Sequence, residues 1–192
     1  LGNYLYIGGI IAITERNKSD VANMTNNGAI NFNGTMANGS LRLGGYSGYV
    51  KSYFSNVTNN APITFGAKST VKFTQVGGLV GYFAKGTSGT CSNLINTELG
   101  DITLNGTLNG SLRVSGCIAD KVVYGHTIDN CVNSGDITVN SSIVNPDGIL
   151  TIGGNLALMS AGSGVTDKMP DTFSNFTNNG KITLNNTNII SN

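Results

Sequence analysis

Five segments of the chain share one spelling: VANMTNNGAINF (21–32), FSNVTNNAPITF (54–65), CSNLINTELGDITL (91–104), IDNCVNSGDITV (128–139) and FSNFTNNGKITL (173–184). Each reads apolar, any, Asn, apolar, any, Asn, a short turn, then Ile-x-apolar. Successive copies begin 33, 37, 37 and 45 residues apart. Self-similarity at such a period confines a chain to architectures in which one unit cannot bury its own apolar face and must stack on the next. Between copies runs a variable stretch and then a strand-like segment closing on a pair of small residues: LRLGGY (41–46), TQVGGLVG (74–81), LRVSGC (112–117) and LTIGGN (150–155), with LYIGGI (5–10) as one more.

Each repeat thus carries three short period-2 runs separated by turn signals such as Asn27-Gly28, Asn105-Gly106 and Asn179-Gly180. The pattern predicts an all-β fold, a parallel right-handed β-solenoid of roughly five coils with three short strands each. The whole chain, 1–192, reads as one domain, with repeats near 21–53, 54–90, 91–127, 128–172 and 173–192 and residues 1–20 ending a preceding coil. In a parallel stack with rows about 4.8 Å apart, equal positions become columns. Ile30, Ile63, Ile102, Ile137 and Ile182 should form one interior column, and Phe32, Phe65, Leu104, Val139 and Leu184 the next. Val21, Phe54, Cys91, Ile128 and Phe173 form the matching column of the preceding strand.

Two asparagine columns have no exception: Asn23, Asn56, Asn93, Asn130, Asn175 and Asn26, Asn59, Asn96, Asn133, Asn178. A side-chain amide both donates and accepts, so stacked copies can bond along the axis while capping turn backbone groups. At least one column is expected to be an inward ladder at a bend. A catalytic role is disfavoured because an amide does not exchange protons near neutral pH.

Charge supplies little. Eleven Lys and Arg face ten Asp and Glu, and only 11% of residues are charged, so no basic patch for nucleic acid or an anionic membrane can be assembled. No apolar run is long enough to span a bilayer, and the start LGNYLYIGGIIAI has neither a basic leader nor a cleavage site, so the chain is read as mature or excised. Cys91, Cys117 and Cys131 lack C-x-x-C spacing and fall where other repeats place apolar residues, which favours buried free thiols over zinc, with a disulfide left open.

Residues 77–81, GGLVG, resemble the glycine-leucine-apolar-glycine signature of GLUG-type repeats. GGYSG keeps the glycines, while SGCIA and GGNLA depart from the pattern. The resemblance implies a β-helix-like module of large bacterial cell-surface proteins, adhesins among them: non-catalytic, extracellular, with no cofactor. Its implied partners are adjacent repeats, copies of itself or surface glycans. Because the chain begins on a third strand and stops after a second, it is read as part of a longer array or as a unit that stacks head to tail into a filament.

The alternative class is a pectinase-like polysaccharide lyase or hydrolase, since β-helices also carry such sites. Its best candidates are Asp101 and Asp136, expected one coil apart with Glu98 nearby, a set able to bind calcium or a glycan or to share a proton. His126, the single histidine, reads as a solvated loop residue. Tyr6, Arg42, Gln75, Arg113 and Thr151 should face outward as a mixed polar column able to meet a glycan. Asn31, Thr64, Thr103, Thr138 and Thr183 form another outward column, which raises ice binding as a minor alternative. Of ten N-x-S/T triplets, Asn33, Asn38, Asn105 and Asn109 are the expected glycan acceptors in a eukaryotic host; those at Asn23, Asn56 and Asn175 would be shielded by an inward ladder.

Overall fold

A computed structural model describes residues 3–15, 20–66, 68–69, 71–84, 86, 88–144, 147–160 and 170–185. It is a parallel β-solenoid of about four turns, with no helix among these residues and hence none long and apolar enough to cross a membrane. The strands stack five deep in four sheets. Sheet A holds Tyr4–Gly8, Ser40–Gly44, Phe73–Gly77, Ser111–Ser115 and Leu150–Gly153, and sheet B holds Ile11–Thr14, Ser47–Val50, Val80–Phe83, Ile118–Val122 and Leu156–Ser160. Sheet C holds Asp20–Asn26, Tyr53–Asn59, Thr90–Asn96, Thr127–Asn133 and Thr172–Asn178; sheet D holds Ile30–Phe32, Ile63–Phe65, Ile102–Leu104, Ile137–Val139 and Ile182–Leu184. A narrow sheet E of Lys68–Ser69, Thr107–Leu108 and Ser142–Ile143 lies between D and A along the chain.

Each row therefore has four strands and, in its central rows, a two-residue fifth, where the spacing of period-2 runs predicts three. The difference lies at the glycine pair. It does not end a segment but turns a corner, after which SGYV, VGYF, IADKV and LALMS resume extended backbone as sheet B. These runs hide from pattern reading because Gly48, Gly81 and Ala119 interrupt their apolar alternation.

Register follows the letters. Ile63, Ile102 and Ile137 pair in sequence along sheet D, and Thr64, Thr103 and Thr138 pair beside them. Inward positions of the central rows are buried, among them Ile63, Phe65, Ile102, Leu104, Ile137 and Val139. Burying a side chain of this size contributes about 1.5–3 kcal/mol, and only a neighbouring row makes that burial available.

The interior is two lobes. One, enclosed by sheets D, E and A, packs Leu41, Leu43, Val76, Leu112 and Val114 against the sheet D column. The other, between sheets B and C, packs Tyr46, Val50, Leu79, Phe83, Cys117 and Ile118 against Phe54, Val57, Leu94 and Ile128. At the waist stand the inward asparagines and the second glycine of each corner. A β-carbon on Gly45 would lie 2.5 Å from the Asn59 amide carbon, and one on Gly78 would lie 2.7 Å from that of Asn96. Only a residue without a side chain brings the corner that close, so the glycine pair and the asparagine ladder are one device.

Candidate functional site: a groove lined by two outward columns

The corner determines what lies outside it. Sheet A turns outward Tyr6, Arg42, Gln75, Arg113 and Thr151, aligned as the sequence predicts. Sheet B turns outward Ile13, Tyr49, Tyr82, Asp120 and Leu158, also aligned. Residues of the two columns touch one another, so the corner is re-entrant and the outer faces of A and B form the walls of a groove. The second column is absent from the sequence reading; aligning the chain on its small pairs and counting five residues past the first of each would have found it.

A cavity of about 410 Å³ opens in this groove, lined among others by Tyr4, Arg42, Gln75, Tyr82, Arg113 and Asp120. Arg42 sits among tyrosine rings, its guanidinium carbon 3.8 Å from the Tyr82 centroid, 4.8 Å from Tyr4 and 5.4 Å from Tyr49. Its Nε donates to Gln75 Oε1 at 2.9 Å, and Gln75 Nε2 donates onward to Asp120 Oδ2 at 2.5 Å. Arg113 donates to the same carboxylate oxygen and lies over the Phe73 ring. Tyr49 and Tyr82 stack along the axis with centroids 5.7 Å apart, while Tyr4 and Tyr6 stack along a single strand, 5.9 Å apart.

Protonation states follow from burial. Asp120 is 1% exposed, and its desolvation raises the carboxyl above the ordinary value although Arg113 and Gln75 offset part of the rise. Burial likewise raises Tyr82 and Tyr49 against the opposing pull of Arg42, so these hydroxyls stay protonated donors at neutral pH.

The asparagine columns are both ladders, of opposite kind. Asn59 Nδ2 donates to Asn96 Oδ1, and Asn96 Nδ2 to Asn133 Oδ1, each at 2.8 Å and buried. The same Nδ2 groups also cap Ala61 O and Gly100 O at the turn into sheet D, the double duty expected of them. The other column faces solvent: Asn93 donates to Asn56 at 2.7 Å and Asn130 to Asn93 at 2.8 Å, while Asn175 turns to Asp129. Asn23, Asn56 and Asn175 are therefore exposed rather than shielded, because all five residues of the column are left-handed, with φ between 51° and 60°, and break the alternation of sheet C.

Asp101 and Asp136 are neighbours, but each carboxylate is occupied by the next row: Asp101 Oδ1 accepts from the Asp136 N–H at 2.8 Å, and Asp136 Oδ1 from that of Lys181 at 2.7 Å. They cap backbone in the open, with Glu98 also exposed, and no group of three or more His, Cys, Asp or Glu able to hold a metal occurs among the described residues. Asn33, Asn38, Asn105 and Asn109 are exposed. The three cysteines are buried, with no disulfide among them, and burial pushes Cys117, beside Cys131, well up.

His126 corrects its sequence reading. It is 1% exposed, with Nδ1 3.0 Å from Lys121 Nζ, and Lys121 in turn donates to Asp171 Oδ2 at 2.8 Å. Lys121 falls in an inward column with Val50 and Phe83, and a lysine at an apolar position needs a buried counter-charge. Asp171 supplies it from 50 residues further along the chain, beyond the reach of local pattern.

No family model matches the chain, and no curated protein or solved structure is significantly similar to it.

Proposed function

We propose that the chain is a non-catalytic structural and adhesive module of a cell-surface protein, related to GLUG-type repeats, which holds saccharide in the groove between sheets A and B. The observation that carries this reading is the pairing of stacked tyrosine rings with fixed polar donors in one open cleft. Sugar rings offer apolar C–H faces to aromatics and hydroxyls to side-chain donors and acceptors, and a ligand site is commonly apolar walls with a few convergent polar groups. The interlocked ladders favour a load-bearing role, since each row is bonded to the next by side chains as well as backbone.

Binding to a glycan panel, read by calorimetry, tests it. Tyr82→Ala should weaken any saccharide bound by at least tenfold; a chain that binds none removes the reading. Ile182 and Leu184, 42% and 47% exposed on the last described row, favour continuation by adjacent repeats or a second copy. A mass that stays monomeric across a wide concentration range in light scattering would exclude the second copy.

A second reading, a polysaccharide lyase or hydrolase, is favoured by one observation: Asp120, a buried carboxyl with a raised pKa beside two arginines. Turnover on acidic polysaccharide, with and without calcium, that disappears in Asp120→Asn would replace the adhesive proposal.

A further inference from the structure

The geometry points to an acidic polysaccharide, one whose pyranose rings carry carboxylates, as the ligand of the groove, lying along the solenoid axis with its carboxylates on Arg42. This inference rests on the saccharide reading above and names its chemical class.

The first ground is the balance of charge. Arg42, Arg113 and Lys72 line the cavity against a single carboxylate, that of Asp120. Arg113 is spent on Asp120. Arg42 faces no carboxylate within salt-bridge distance among the described residues; its described hydrogen bonds are neutral, to Gln75 and, at 3.4 Å, to Tyr6. A guanidinium carries five N–H donors, and the planar fork matches a carboxylate with two parallel bonds. Arg42 therefore keeps donors that no described carboxylate contacts, the Asp120 charge reaching it only through Gln75, in a chain with a net charge of only +1. Surplus charge in the groove is a local feature rather than a reflection of the whole surface.

The second ground is preorganisation. Arg42 is clamped by tyrosine rings on its faces and by Gln75 at Nε, and Gln75 is itself fixed by the buried Asp120. An arginine held this way loses little side-chain freedom on binding, which is where most of the cost of recruiting a flexible cation lies.

The third ground is repetition. Rows of a parallel stack are about 4.8 Å apart, close to the length of one pyranose unit. A glycan running along the axis meets Tyr49 and Tyr82 in successive rows, and Arg42 and Arg113 two rows apart, with Gln75 between them. The two aromatic rings thus recur at about the interval of one pyranose unit, and Arg42 alone offers its fork to a carboxylate beside them. A lone phosphate or a small anion would use the charge and leave the tyrosine rows idle.

Calorimetry with a galacturonate hexamer and the same hexamer carboxyl-reduced to galactose isolates the carboxylate. The acidic hexamer should bind and weaken with added salt, and the reduced one should bind at least tenfold more weakly, a difference of about 1.4 kcal/mol. Arg42→Gln should remove that difference while the hexamer keeps its residual affinity. Equal binding of the two hexamers overturns the acidic class and leaves the saccharide reading standing, whereas binding of neither overturns both. An intact preference in Arg42→Gln overturns the assignment to this residue. The wild-type comparison decides the class even if the variant fails to fold. Heparin binding without galacturonate binding would show that sulfate density, not a ring carboxylate, is what the groove takes, and would also overturn the proposal.

Discussion

Asparagine does two jobs in this chain, and the backbone decides which. Asn96 is extended and buried; its amide accepts from Asn59 and donates both to Asn133 and to the Gly100 carbonyl. Asn96→Ala leaves those groups unsatisfied in the waist, at an expected cost of about 2–4 kcal/mol. Asn96→Asp should cost more, because a carboxylate cannot donate up the ladder. Urea unfolding of the two variants would show the order; equal midpoints for Asn96→Ala and wild type would refute the ladder's role. Asn93 has φ of 54° and faces solvent. There Asn93→Ala should cost about 1 kcal/mol and Asn93→Gly less, since glycine adopts that conformation freely. Equal costs for the two variants in thermal melts would show that the exposed amide row, not backbone conformation, sets the preference.

At the scale of strands and their joints, the two lobes differ in what their inward columns contain. Lys121 in sheet B is the exception that requires Asp171. Burial alone would raise the Asp171 carboxyl, but the Lys121 ammonium and the N–H groups of His126 and Tyr124 outweigh it and hold it below its ordinary 3.8. For Lys121 the balance runs the other way: burial lowers it and the pairing recovers only part. Two backbone donors hold the carboxylate ionised independently of the lysine. Lys121→Met, which strands the carboxylate, should cost about 3 kcal/mol. A depressed carboxyl stabilises the fold above its unfolded value and loses that contribution as pH falls through its folded value. The stability gap between wild type and Asp171→Asn should therefore be full at pH 7 and shrink below pH 3.8. A gap that is constant with pH would mean that Asp171 acts through shape alone.

Legibility from sequence also divides at this scale. Sheets C and D were readable because their spelling recurs: the columns of Ile102 and Asn96 are set by identical letters in every row. The outward column of sheet A was readable through Arg42 and Arg113. Sheet B was not, since a corner made of two small residues looks like a terminus, and the column Ile13, Tyr49, Tyr82, Asp120, Leu158 changes chemistry at all but one of its steps. The pairing of Lys121 with Asp171 is set by long-range closure and leaves no local trace, whereas the left-handed φ of Asn93 leaves one in the unbroken asparagine column, since asparagine tolerates that conformation.

For the whole molecule, stability is a sum over rows and the contacts between them. Ile102 is wholly buried in a middle row, whereas Ile182, its equivalent on the last described row, is 42% exposed. Ile102→Ala should cost about 3–4 kcal/mol and Ile182→Ala about 1 kcal/mol or less. Hydrogen exchange should show protection falling from the middle rows toward the last. Equal costs at the two sites would mean that Ile182 is covered in solution by something further.

The joint between sheets A and B is two residues long in every row, Gly9-Ile10 through Gly154-Asn155, while the stretches joining B to C and D to A vary in length. Length variation thus spares the corner between the two walls, and what each row presents along the floor of the cleft changes by substitution alone, one character from each wall per level.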